Sequence, residues 1–272
     1  MRQTWQTMLM GMAAVILTST LAWADTPVVF RAHNYGFSGP DRIHGGMTTM
    51  QIVNEGQDAH HIQLLRLWHG KTAEDVRLAL AASPHTFPSW VTFVGGSNAA
   101  LPGAQAPASM WLPEGHYVLI CLIPNQQGLP HVALGMQKAL TVVRPRSRAV
   151  SGPRAEATLT QEDFAFGLSG AITPGTRTIR VLNRGAQPHE VVLVKLAPGG
   201  SARDLADAII SGSPGPLPGT LHGGVVGIEP GAEAYFTADF EPGRYGVMCF
   251  FPDHGTGAMH YRNGMTLEFV VP

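Results

Sequence analysis

The sequence predicts an all-β chain of two tandem β-sandwich domains, each with a short helical insertion. Three observations predict it: a repeat at a fixed offset, alternating apolar runs in both copies, and abundant turn formers. Of 272 residues, 32 are Gly and 21 are Pro, which suits short strands and many turns and not long helices. Hydrophobic residues are 44 % of the chain, enough for a core, so a disordered chain is excluded. Charged residues are only 14 % and the formal charge is −1, so nothing marks a nucleic-acid or anionic membrane face.

The repeat is read residue against residue. Asn54-Glu-Gly-Gln-Asp-Ala-His60-His61-Ile-Gln-Leu64 aligns with Asn183-Arg-Gly-Ala-Gln-Pro-His189-Glu190-Val-Val-Leu193, an offset of 129. Phe37 and Phe166, Ile43 and Ile172, and Gly46 and Gly175 keep that offset. Gly95-Gly96 with Gly223-Gly224, and Gly115-x-Tyr117 with Gly243-x-Tyr245, follow at 128 after a one-residue slip. The glycine pairs are expected to mark tight turns or close backbone approach. The units span 25–144 and 156–272, and the basic, turn-rich segment 145–155 reads as a linker.

Residues 1–24 read as a signal peptide. Arg2 gives a positive start, Met8 to Leu21 is largely apolar, and Ala22-Trp23-Ala24 offers a cleavage pattern before Asp25. Fourteen residues are short for a membrane span, which needs roughly 20. A periplasmic or secreted protein without a membrane span after cleavage is expected.

Within each unit, Met50–Asn54 and Thr178–Asn183 alternate as half-buried strands. His61–Leu67 and Glu190–Leu196 are the next strands. Thr72 with Asp75, and Ser201 with Asp204, are cap and third-position pairs that open helices over Val76–Ala81 and Leu205–Ile210. Tyr117–Cys121 and Tyr245–Cys249 are strands again, and Ala139–Val143 and Glu268–Val271 close the units.

Four residues with metal-binding side chains recur in both units: His60, Cys121, His131 and Met136 in the first, His189, Cys249, His260 and Met265 in the second. Two imidazoles, a thiolate and a thioether are the donor set of a type 1 (blue) copper centre, with Met as the long axial ligand. The first His ends a turn at the start of a strand, and the other three share one loop between the last two strands. His61 is next to His60 and so faces the other way; since Glu190 replaces it in the second unit, it is placed on the outer face or behind the ligands. Cys121 and Cys249 could instead form a disulfide in an oxidising compartment. They occupy equivalent places in two units, however, and a bridge needs Cα atoms within about 7 Å. His33, His44, His69, His85, His116 and His222 have no His counterpart and read as surface residues.

A distant His, a strand ending in Gly-x-Tyr-x-x-x-Cys, a loop, then His-x4-Met and a final strand resemble the cupredoxins. The resemblance covers nearly all of each unit and implies two cupredoxin-like Greek-key β-sandwich domains, with one type 1-like copper in each and up to two in all. Cys121-x9-His131-x4-Met136, with Gly135 before the Met, looks most like the type 1 loop of copper nitrite reductases. In the second unit Cys249-x10-His260-x4-Met265 keeps the repeat offset and the preceding glycine, Gly264. The rival register Cys249-x4-His254-x4-Met259 resembles the shorter azurin- or auracyanin-type loops.

The resemblance implies an exported electron carrier with a redox protein partner that no motif names. In nitrite reductases a His directly precedes the type 1 Cys, whereas Ile120 and Met248 stand here. The paired His-x-His segments of multicopper oxidases are absent as well, so a carrier is favoured over an enzyme. Copper storage or delivery is the alternative, as is a metal-free interaction module of the same fold.

Overall fold

The computed structural model describes residues 26–83, 86–145, 151–212 and 215–272. The expected signal segment 1–24 and residues 146–150 of the expected linker lie outside the described residues. The first unit contains β1 (Val28–His33), β2 (Gly36–Ser38), β3 (Arg42–His44), β4 (Gly46–Asn54), β5 (Gln63–Leu67), α1 (Ala73–Ala82), β6 (Val91–Gly95), β7 (Gln105–Leu112), β8 (Gly115–Ile120) and β9 (Gln137–Val143). The second contains β10 (Ala157–Glu162), β11 (Ala165–Ser169), β12 (Gly175–Asn183), β13 (His189–Leu196), α2 (Ala202–Ser211), β14 (Gly219–Ile228), β15 (Glu233–Phe240), β16 (Gly243–Met248) and β17 (Thr266–Val271).

Period-two patterning builds the sheets. Along β4 every second side chain from Gly46 to Asn54 is buried, and the intervening ones are half-buried. The helices start where the caps place them. Thr72 and Asp75 form a reciprocal capping box, and the Ser201 side chain accepts the Asp204 N–H at 3.0 Å. Both helices start three residues earlier and end one residue later than the apolar pattern alone indicates.

Both units cross between two layers, as a Greek-key sandwich does. One sheet runs β2-β1-β4-β7-β15-β12-β10-β11, and the other β3-β9-β8-β5-β6-β14-β13-β16-β17. Each sheet is therefore continuous through both units. β7 pairs antiparallel with β15, with Ala108 opposite Phe236, and β6 pairs antiparallel with β14 through Val94 and Ile228. Equivalent strands meeting antiparallel in both layers is the arrangement a local twofold axis produces. Strand β3 has no counterpart: Ile172, which the repeat aligns with Ile43, is buried but lies outside any strand.

The repeated glycines mark close approach and not turns. Gly96 follows β6 directly, whereas Gly223 and Gly224 lie inside β14. Gly96 and Gly224 have φ of 135° and 118°. A Cβ on either would come within 2.0 Å of a carbonyl oxygen, that of Ile62 or Val191.

Phe236 is 2 % exposed and sits on the strand that joins the two halves. Phe236→Ala is expected to lower the unfolding free energy by about 3–5 kcal/mol. The loss should appear as one cooperative transition in a denaturant melt, since the sheets run through both units. Two separate transitions would contradict that continuity.

Candidate metal centres

The turn before His60 is organised by Asn54. Its side-chain N–H groups donate to Asp58 O and Ala100 O, both at 2.8 Å, and its Oδ1 accepts the Gly56 N–H at 2.8 Å. Asn183 does the same before His189, donating to Gln187 O at 2.8 Å and Ile228 O at 2.9 Å and accepting from Gly185 N at 2.9 Å. This role was missed in the sequence, although the recurrence of Asn54 and Asn183 at the repeat offset was the available signal.

The Cys and the second His come together through backbone bonds on one loop. Cys121 follows β8 directly, its carbonyl accepts the Val132 N–H at 2.8 Å, and the His131 N–H donates to Ile123 O at 3.0 Å. In the second unit Tyr261 N–H reaches Cys249 O at 2.9 Å, and His260 N–H reaches Phe251 O at 2.8 Å. His131–Leu134 and His260–Asn263 are 3-10 turns, each closed by a left-handed glycine, Gly135 or Gly264. The next residue is the Met: Met136 N–H donates to His131 O at 3.0 Å, and Met265 N–H to His260 O at 3.1 Å. Both Met side chains are fully buried.

The length difference between the loops is taken up at their tips. Isolated bridges pair Pro124 with Pro130 and Pro252 with Met259, so the extra residue of the second loop falls inside a closed hairpin. Loops of nine and ten intervening residues therefore deliver their His to the same place. The rival His254 is exposed in that tip, its N–H held by Gln187 Oε1 at 2.7 Å, and it lies outside the donor group; Met259 is half-buried at the hairpin's base.

The donors converge. His60 Nδ1 lies 3.1 Å from His131 Nδ1, and Cys121 Sγ lies 4.0 and 3.5 Å from these nitrogens. In the second unit His189 Nδ1 is 2.9 Å from His260 Nδ1, and Cys249 Sγ is 3.5 Å from His260 Nδ1. In each trio all donor atoms lie within 4.8 Å of one another, and all six residues are fully buried. Metal bonds of about 2.0 Å to nitrogen and 2.3 Å to sulfur put donor atoms roughly 3–4 Å apart, which is the spacing found. Both cysteines are free, so the disulfide alternative does not apply.

Each unit therefore pairs a β-sandwich with a buried trio of two imidazoles and a thiol, the features on which the resemblance to cupredoxins rests.

No protein-family model matches the chain, and no curated protein matches it. Among solved structures it is similar to auracyanin from the photosynthetic bacterium Roseiflexus castenholzii, with 26 % identity over 42 % of this chain and 94 % of that one and a TM-score of 0.32. A copper nitrite reductase from Nitrosomonas europaea is similar at 14 % identity, over 91 % of this chain and 94 % of that one, with a TM-score of 0.27. A multicopper oxidase is similar at 15 % identity, over 90 % of this chain and 88 % of that one, with a TM-score of 0.25.

Further side chains surround each trio. Tyr35 and Phe164, equivalent residues at φ of 62° and 67°, set their rings edge-on against His131 and His260, with centroids 5.2 Å apart in both cases. Bulky residues adopt that backbone region at a cost, and such strain concentrates at functional sites. His61 is buried behind the ligands, its Nε2 accepting the Leu122 N–H at 2.8 Å. Glu190 does the same job at the equivalent place, accepting the Phe250 N–H at 3.0 Å. Asn98 reaches across the unit boundary to the second of these: its Nδ2 donates to Glu190 Oε2 at 3.2 Å and to Val191 O at 3.1 Å.

The metal-free trios resist protonation of their imidazoles. Burial first, then the positive charge a neighbouring imidazole would carry, lowers His60 and His260 to about 4. Burial also pushes the Cys121 thiol up to about 12 and the Cys249 thiol higher still, so a bound cation must supply the field that makes them thiolates.

These shifts set a pH dependence. An unfolded His takes up a proton near 6.5, whereas folded His60 and His260 wait until about 4. In that window the unfolded chain binds more protons, so stability of the metal-free protein should fall as pH drops from about 6.5 to about 4. Urea melts across that range check it: the slope should be reduced in His60→Leu plus His260→Leu, and a flat profile in the unsubstituted protein would contradict the buried neutral state.

Proposed function

We propose that the protein binds copper in each unit and carries single electrons. His60, Cys121, His131 and Met136 would hold one ion, and His189, Cys249, His260 and Met265 the other. The observation that carries this reading is the convergence, twice in one chain, of two imidazole Nδ1 atoms and one free thiol in a water-excluded pocket. Such a donor set favours soft or borderline transition metals over hard cations. When bound, copper supplies a one-electron couple. The chain's part is to keep the donors fixed, so that little rearranges when the charge changes. The 3-10 turns, the Asn54 and Asn183 turns and the buried Met residues do that.

The test is addition of Cu(II) to the purified protein. Intense visible absorption from thiolate-to-copper charge transfer is expected, with near-complete loss in Cys121→Ser plus Cys249→Ser. Tight Cu(I) binding without that band would point instead to copper storage or delivery. No binding, and no rise in melting temperature at excess metal, would leave a metal-free interaction module.

We also propose that the protein is exported to the periplasm or beyond, on the strength of residues 1–24. Among the described residues no helix is long and apolar enough to cross a membrane. N-terminal sequencing of the protein produced in a bacterial host should begin at Asp25, and recovery of an intact Met1 chain from the cytoplasm would oppose export.

A further inference from the structure

The two centres share donors but differ in what stands behind them. Asn34, His61 and Asn125 of the first unit are replaced by Asp163, Glu190 and Asp253 in the second, at offsets of 129, 129 and 128. Each exchange brings a carboxylate to the second centre.

The first exchange touches a donor ring. Asp163 Oδ1 lies 2.9 Å from His189 Nε2, the nitrogen turned away from the trio. In the first unit His60 Nε2 is buried and has no hydrogen-bond partner among the described residues. The layout is otherwise the same. Asn34 and Asp163 accept the backbone N–H of equivalent residues, Gln57 and Ala186, at 3.1 and 3.0 Å. A Cβ on Gly56 would meet His60 Nε2 at 2.6 Å and Asn34 Oδ1 at 3.1 Å, and one on Gly185 would meet His189 Nε2 at 2.5 Å and Asp163 Oδ1 at 2.4 Å. At this position the second unit bonds the ring to a carboxylate, and the first leaves it beside an amide without a bond.

The second exchange lies beside the sulfur. Glu190 is buried, its backbone N–H points at Cys249 Sγ at 3.5 Å, and its side chain accepts the Phe250 N–H, so a carboxyl group stands there in place of an imidazole. His61, in its place, spends its Nε2 lone pair on a backbone N–H and stays neutral. The third exchange is at the loop tip. Asp253 acts on His260 and is held by Gln187 and Thr256, while Asn125 only caps its own turn. Against these, the first unit has one carboxylate of its own, Asp58, which acts on His60 and His131 without bonding either. His254 adds an opposing imidazole near His189 and His260.

We propose that these exchanges make the second centre the lower-potential of the two copper sites, so that a single electron given to the chain settles at the first. The inference rests on the copper reading above. A carboxylate accepting the Nε2–H of a ligand imidazole raises the ring's basicity and fixes its orientation. Both effects, like any nearby negative charge, favour Cu(II) over Cu(I). Asp163 is thus a positioning residue, acting through His189.

Potentiometric titration of single-site proteins, followed by the copper absorption, tests this. Cys249→Ser leaves the first site and Cys121→Ser the second, and the first should have the higher potential. Adding Asp163→Asn to the second-site protein should weaken Cu(II) relative to Cu(I) about tenfold or more, a rise of about 59 mV for each factor of ten. Asn34→Asp in the first-site protein should move that site downward, which keeps the test valid if Asp163→Asn folds poorly. Zn(II) affinity of the second site should also fall about tenfold in Asp163→Asn, a readout free of redox change. Equal potentials, the reverse order, or no movement in both substitutions would overturn this inference while leaving the copper reading standing. Failure of both single-site proteins to bind copper would overturn both.

Discussion

Each half of the molecule is arranged around a set of buried donor atoms that face one another. Within each trio the two Nδ1 atoms lie 2.9–3.1 Å apart with the thiol sulfur beside them, all shut off from solvent. Two facing imidazole nitrogens can share only one hydrogen bond, and a thiol is a weak partner. Burying polar groups so poorly matched is costly. The arrangement makes physical sense if a cation completes it. The rest of the fold is the scaffold that holds these donors in place.

That scaffold is mostly backbone. The Asn54 and Asn183 side chains replace missing main-chain partners in the turns before the first His. The left-handed glycines Gly135 and Gly264 end the 3-10 turns so that the Met right after each glycine folds back onto the His carbonyl. Ring positions are then set by Tyr35 and Phe164, which accept an unfavourable φ to reach them. Sites built this way depend little on the outer loop, which is why one added residue in the second hairpin leaves the donor geometry unchanged.

Duplication gives the protein an internal comparison. What is identical in both halves is what any such centre needs, and what differs is free to tune it. The donors, the Asn turns and the closing glycines are identical, whereas the groups behind His60 and His189, behind the sulfur and at the loop tip are not. The halves are also not independent. Two continuous sheets join them, and Asn98 of the first unit bonds Glu190 of the second, one residue beyond a donor His.

The sequence alone determined the duplication, the types of the strands and helices it marked, and a short set of candidate donors. Each of these is local: period-two burial, caps three residues apart, and donor spacings repeated at one offset all survive in a linear string. Thr72 with Asp75 and His60 with His189 needed nothing further. Strands β1, β2, β3, β6, β7, β10, β11, β14 and β15 were not read from the sequence, because a strand's partner is chosen by the whole layer. Tertiary structure alone decided that His260 and not His254 joins the second trio, since only closure of the Pro252–Met259 hairpin sets which His reaches the sulfur. It also decided that Asp163 bonds a donor ring while Asn34 does not, because hydrogen bonding depends on angstrom-scale placement between segments 26 residues apart, which no spacing rule records.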